Sequence, residues 1–129
     1  WIKENRSEEI KNYTFAIDNK SNGKFMGLFG LKIGHQKYKR AEVWYKIHSD
    51  YWKKGYATEA LKAIIDFGFD ALKLHRIEAG CAVENIGSIK VLEKSGMLRE
   101  GRLRQILPLK SGWSDNFQYS ILETDERSK

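Results

Sequence analysis

The chain has 129 residues and a formal charge of +6, with 41% hydrophobic and 31% charged residues, which fits one domain around one core and excludes a disordered chain. No apolar run approaches the roughly 18 residues of a membrane span, and no secretory leader pattern is present. The single cysteine, Cys81, excludes an internal disulfide and points to a reducing, cytoplasmic setting.

The first residue is Trp1 rather than Met, so a natural start upstream is expected. Trp1 to Lys11 is polar and reads as a helix end or a loop. Tyr13, Phe15 and Ile17 alternate with smaller residues, the period of a strand. Asp18 to Gly23 is a turn, and Phe25 to Ile33 a second strand, so the two form a hairpin. Gly27 and Gly30 inside that strand predict a bulge or a close backbone approach. Gly34 to Arg40 is a basic loop, and Ala41 to Ile47, rich in β-branched and aromatic residues, is a third strand.

A short basic loop then leads into an amphipathic helix. Ala57, Ala60, Leu61, Ile64, Ile65, Gly68 and Leu72 fall near one face at helical spacing. Arg76 to Val83 reads as a strand, and strand, helix, strand implies a parallel pair with a crossover. Asn85 is placed to cap a second helix through Ser88, Ile89, Leu92 and Glu93, and Gly96 to end it. Met97 to Leu107 and Phe117 to Leu122 are the last strands, joined through Lys110 to Ser114, with Pro108 at a strand end. The tail from Thr124 is charged. The expectation is one α/β domain over residues 1–129 with a mixed sheet.

The loop before the first helix carries the chemistry. A strand, a loop with two small residues (Gly55 and Ala57) and a helix start present backbone N–H groups and a dipole end to an anion. Lys53 and Lys54 add charge there, and Gly55 removes a Cβ from the approach path. Two readings stand: a pyrophosphate cradle, or a plain strand-to-helix turn with solvated lysines. The nucleotide loops ending in Gly-Lys-Ser/Thr or built on three glycines do not match.

Trp52-Lys53-Lys54-Gly55-Tyr56-Ala57, followed by Thr58-Glu59-Ala60, resembles the coenzyme A loop of the GNAT superfamily of N-acetyltransferases, with Trp52 in place of the usual Arg or Gln. Arg76-Ile77-Glu78-Ala79, Val83-Glu84-Asn85-Ile86-Gly87-Ser88 and Leu92-Glu93-Lys94-Ser95-Gly96-Met97 resemble a second region of the Rim-type ribosomal-protein N-terminal acetyltransferases, and Glu100 to Arg104 continues the likeness. The resemblance implies a GNAT fold read from its second strand onward, its N-terminal part missing. The sheet would be mixed and mostly antiparallel, with a central splayed parallel strand pair and flanking helices. It implies acetyl-CoA as cosubstrate, held at Lys46 and Ile47 on the splayed strand, at Trp52 to Thr58 in the loop, and at Asn85 and Ser88.

By the same resemblance Glu42 is the candidate base, through water, and Ser88 the candidate acid for the departing thiolate. As solvated strand charge and helix-start serine, both also have ordinary roles. The place of the usual GNAT tyrosine acid holds Leu92. The acceptor is expected to be a protein N-terminal amine or a small amine such as a polyamine. A cofactor-binding module without turnover is the reading from a different class.

The positive charge suits a polyanion such as coenzyme A, and no basic stripe interleaved with aromatics marks a nucleic-acid groove. His35, His48 and His75 do not form a metal spacing. His48 is read as a loop residue next to the cofactor path, and Cys81 as a core residue. Trp44, Tyr45, Trp52, Trp113 and Tyr119 are read as core or rim, with Trp113 bordering the acceptor pocket or a homodimer seam.

Overall fold

The computed structural model describes residues 2–4, 12–34, 38–48, 51–52 and 55–127. In it β1 (Ile2–Glu4), β2 (Asn12–Asp18), β3 (Phe25–Ile33) and β4 (Arg40–Ile47) precede α1 (Tyr56–Asp70). There follow β5 (Arg76–Ala82), α2 (Ile86–Lys94), β6 (Leu98–Leu109) and β7 (Gly112–Leu122). The strands form one seven-stranded sheet in the order β1-β2-β3-β4-β5-β7-β6. All pairings are antiparallel except β4 with β5.

The alternation read in the sequence sorts the faces. Along β4, Ala41, Val43 and Ile47 are buried while Arg40, Glu42, Trp44 and Lys46 are exposed. The buried set joins Phe29, Leu31, Ile77, Ala79 and Ile121 from neighbouring strands, and Leu61, Ile64, Ile65 and Leu92 from the helices, in one cluster. Each such large side chain contributes about 1.5–3 kcal/mol by leaving water. On α1 the buried face is Ala60, Leu61, Ile64, Ile65, Gly68 and Phe69. Phe69 therefore belongs to the stripe, while Ala57 and Leu72 sit half-buried at its margins.

The ends of α2 follow from two residues. The Asn85 side chain accepts from the backbone N–H of Ser88 at 3.1 Å, as an N-cap should. At the other end Gly96 adopts φ 94°. Its N–H reaches Glu93 O, and the Met97 N–H reaches Leu92 O, the paired bonds of a Schellman stop.

Two expectations change. The segment expected to be helix end or loop contributes a strand: Ile2–Glu4 pairs with Tyr13–Phe15. Three residues without alternation carry no strand signal, and pairing with β2 decides instead. The final hairpin turns at Lys110 and Ser111, so Trp113 and Ser114 lie in β7, and Pro108 pairs with Trp113 inside the edge strand β6. The glycines of β3 do what was expected of them: the register with β2 slips between Gly27 and Phe25, a bulge beside Gly27, and both glycines mark close approach. A Cβ on Gly27 would lie 2.3 Å from Lys46 O and one on Gly30 2.2 Å from the Trp44 ring.

Candidate active site

The parallel pair is short. β4 and β5 share only the rungs Arg40 with Arg76, Ala41 with Ile77, and Glu42 with Glu78. Among the described residues, β4 beyond them runs on to Ile47 paired only with β3, while β5 runs on to Ala82 paired only with β7. Each strand is held along its outer edge and released along its inner one. Backbone N–H and C=O groups of the two inner edges are left to face a gap, where burial without partners would be costly.

A cleft of about 880 Å³ occupies the region into which the gap opens. Tyr45, Lys46 and Ile47 line it from β4, Trp52, Gly55, Ala57 and Thr58 from the loop and first turn of α1, and Asn85, Ser88 and Lys90 from α2 and its cap. Gly55 occupies the N-cap of α1 at φ 81°, and among the described residues no side chain caps this helix start. A Cβ at Gly55 would meet nothing within 4 Å. Glycine is therefore demanded by the left-handed backbone rather than by crowding. The first-turn amides are thus left for an anion, with the dipole end behind them.

Two hydrogen bonds shape the walls. The Trp52 indole Nε1 donates to Ile47 O at 2.8 Å, folding the loop back on the end of β4 and occupying that carbonyl. The Tyr45 hydroxyl donates to Ser88 Oγ at 3.0 Å, spanning from β4 to α2 across the parted strands. The Tyr45 ring is stacked on Phe29 with centroids 5.1 Å apart. Burial pushes the Tyr45 phenol above its ordinary range, so it stays protonated and able to donate at neutral pH.

Of the predicted cosubstrate residues, Lys46, Ile47, Trp52, Gly55, Ala57, Thr58, Asn85 and Ser88 come together around the cleft. Lys53 and Lys54 lie outside the described residues, as does His35. Tyr56 turns its ring edge-on to Tyr51 at 5.8 Å and does not line the cleft. Glu42 stands apart too, exposed at the last shared rung, on the face away from the core. Tyr45, Lys90 and Lys94 are lining residues that sequence reasoning missed. Lys90 and Lys94 lie four apart on one helix face, a spacing that could have flagged them. Leu92 is a core residue, 1% exposed, so its helix sends no acid from that position.

Cys81 is buried, and that burial pushes its thiol up, away from nucleophilic use. Among the described residues no cluster of His, Cys, Asp and Glu could hold a metal ion, and no helix is long and apolar enough to cross a membrane.

A sheet parted at its central parallel pair, with an uncapped helix start beside the gap, is the frame of the GNAT acetyltransferases. The chain belongs to that family: the acetyltransferase (GNAT) domain model matches residues 1–98. It is 43% identical over 84 residues to the uncharacterized N-acetyltransferase YnaD of Bacillus subtilis, covering 65% of this chain and 49% of that one. It is 35% identical over 81 residues to spermidine N(1)-acetyltransferase of Escherichia coli, covering 63% and 44%. The solved ribosomal-protein-S5-alanine acetyltransferase of Vibrio fischeri superposes with a TM-score of 0.82 at 28% identity, over 92% of this chain and 65% of that one. The chain thus spans about half the length of these curated relatives.

Proposed function

We propose that this domain holds acetyl-CoA along the β4–β5 gap and transfers its acetyl group to a primary amine. The observation that carries the reading is the end of strand pairing at Glu42 and Glu78 beside an uncapped helix start. The pantetheine arm would pair with the released inner edge of β4 near Lys46, as an added strand does. The diphosphate would take the amides of Gly55 to Thr58, with Lys90 and Lys94 adding positive charge nearby. Asn85 keeps its cap bond through Oδ1 and has amide N–H donors left for the arm.

The acetyl donor supplies an activated carbonyl, and the chain's residues supply the rest. An N–H on the inner edge of β4 meets the tetrahedral oxyanion. Glu42, at the fork of the strands, accepts the amine proton through water. Ser88 donates to the departing sulfur.

The acceptor we favour is the N-terminal amine of a protein, ribosomal proteins included, on the structural likeness to the S5-alanine enzyme. A small-molecule amine is the second reading, favoured by the identity with spermidine N(1)-acetyltransferase. Calorimetry with acetyl-CoA and a thiol-release assay over N-terminal peptides, polyamines and amino acids separate them. Turnover on an alanyl peptide alone supports the first, and turnover on spermidine alone the second. Binding without turnover on any amine points to a non-catalytic acyl-CoA module, and absence of binding overturns the proposal.

A further inference from the structure

We propose that Tyr45 is a positioning residue for the leaving-group step: its hydroxyl fixes Ser88 Oγ as an acceptor, so that the Ser88 proton is turned into the cleft. This inference rests on the acetyl-transfer reading above. Ser88 has one proton and two lone pairs. With Tyr45 donating at 3.0 Å, one lone pair is committed and the remaining O–H has to point elsewhere. Both residues line the same cleft, so the open direction is the one the cosubstrate would enter.

The ring cannot easily relax away. It is stacked on Phe29, itself fully buried, and its strand is locked to β3 by the rung Phe29 with Tyr45. A hydroxyl that accepts a hydrogen bond is also a stronger donor, since chained bonds polarise one another. The chemistry balances without moving the phenol proton. The C–N bond forms and the C–S bond breaks. The sulfur keeps the electron pair and accepts the Ser88 hydrogen bond, and the proton lost by the amine goes through water to Glu42. The raised phenol of Tyr45 remains protonated throughout, which suits a donor and not a proton source.

The test uses Tyr45→Phe, Ser88→Ala, the double variant and Ser88→Thr, with coenzyme A itself as the first probe. The ultraviolet absorbance of its bound thiolate is followed against pH. Lys46, Lys90 and Lys94 around the cleft act on that thiol alike in every variant, so differences isolate the hydroxyl pair. We expect Tyr45→Phe and Ser88→Ala each to raise the midpoint by about one pH unit, a tenfold change in proton affinity. The double variant should match the singles, and Ser88→Thr, which keeps a hydroxyl, should hold the thiolate midpoint close to that of the unaltered protein. Thiol release should fall roughly tenfold to a hundredfold in Tyr45→Phe, and less with acyl donors whose thiols are more acidic. Acetyl-CoA affinity should stay the same.

A thiolate midpoint and leaving-group dependence untouched by Tyr45→Phe, with binding intact, overturn the inference alone. Additive effects of the two single variants do so as well. Failure of the unaltered protein to bind acetyl-CoA overturns the underlying function instead. Tyr45→Phe keeps the stacking on Phe29, and its thermal midpoint shows whether the fold is retained.

Discussion

Glu42 and Glu78 sit side by side on the last rung that β4 and β5 share, and the strands part immediately after them. Glu78 is ion-paired with Arg76 at 2.8 Å. Among the described residues no cation pairs with Glu42. Two carboxylates on adjacent strands repel, and only one of them is neutralised. The other is left at the fork, where an acetyl group held by the parted strands would meet an incoming amine.

Glu42→Gln keeps the shape and removes the proposed base. We expect kcat/KM at neutral pH to fall by roughly a hundredfold. The deficit should shrink as pH rises toward the acceptor amine's own pKa, because an amine already deprotonated needs no base. Affinity for acetyl-CoA should not change. A pH–rate profile parallel to that of the unaltered protein would remove Glu42 from the reaction.

Gly55→Glu attacks the cradle in two ways. A non-glycine residue at φ 81° costs about 1–2 kcal/mol of backbone strain. The new carboxylate also stands where a diphosphate would, at a helix start that otherwise favours an anion. Acetyl-CoA binding should disappear by calorimetry while the circular dichroism spectrum is preserved. Gly55→Ala separates the causes: it carries the strain without the charge and should weaken binding only partly.

How much of this was legible in the sequence depends on the distance over which each signal acts. Phe25–Ile33 and Arg76–Ala82 emerge within a residue of their expected bounds because alternation and turn residues are local. Asn85 and Gly96 act within one helical turn and perform as expected. The fork of the sheet was reached through resemblance, since nothing local in Ala41 to Ile47 says where a parallel neighbour leaves. The bond from Tyr45 to Ser88 joins residues far apart in the chain, and nothing local sets Tyr45 apart from the other core or rim aromatics until the register of β3 and β4 aims it. Trp52 looked like a departure from the coenzyme A loop pattern. Its indole bond to Ile47 O gives that departure a structural task.

A pH prediction follows from the base of the fork. Arg76 bonds to both carboxylate oxygens of Glu100, and the Glu100 carboxyl is held below its ordinary range chiefly by that hydrogen bond. A carboxyl depressed in the folded state favours folding above its unfolded pKa of about 4.3. The contribution is lost as pH falls from there through the folded value. Glu100 is 43% exposed, so solvent screening keeps the effect small. Urea midpoints of Glu100→Gln should lie slightly below those of the unaltered protein at pH 6 and draw toward them as pH falls below the ordinary glutamate range. A gap that widens on acidification would contradict the sign.

Gly30→Ala tests the packing of the sheet face opposite the core. The indole of Trp44 lies over Gly30, and a methyl there would fall 2.2 Å from its ring. Something must move. Backbone would resist, as at Gly27, but Trp44 is 43% exposed and can swing its indole into solvent. The loss should therefore sit at the lower end of the roughly 1–3 kcal/mol typical of overpacking. Thermal unfolding should register it as a drop of a few degrees. In a Trp44→Ala background the same substitution should be nearly neutral, giving a coupling of about 1 kcal/mol in a double-mutant cycle. Equal losses in both backgrounds would mean that the strand itself, and not the indole, rejects the methyl.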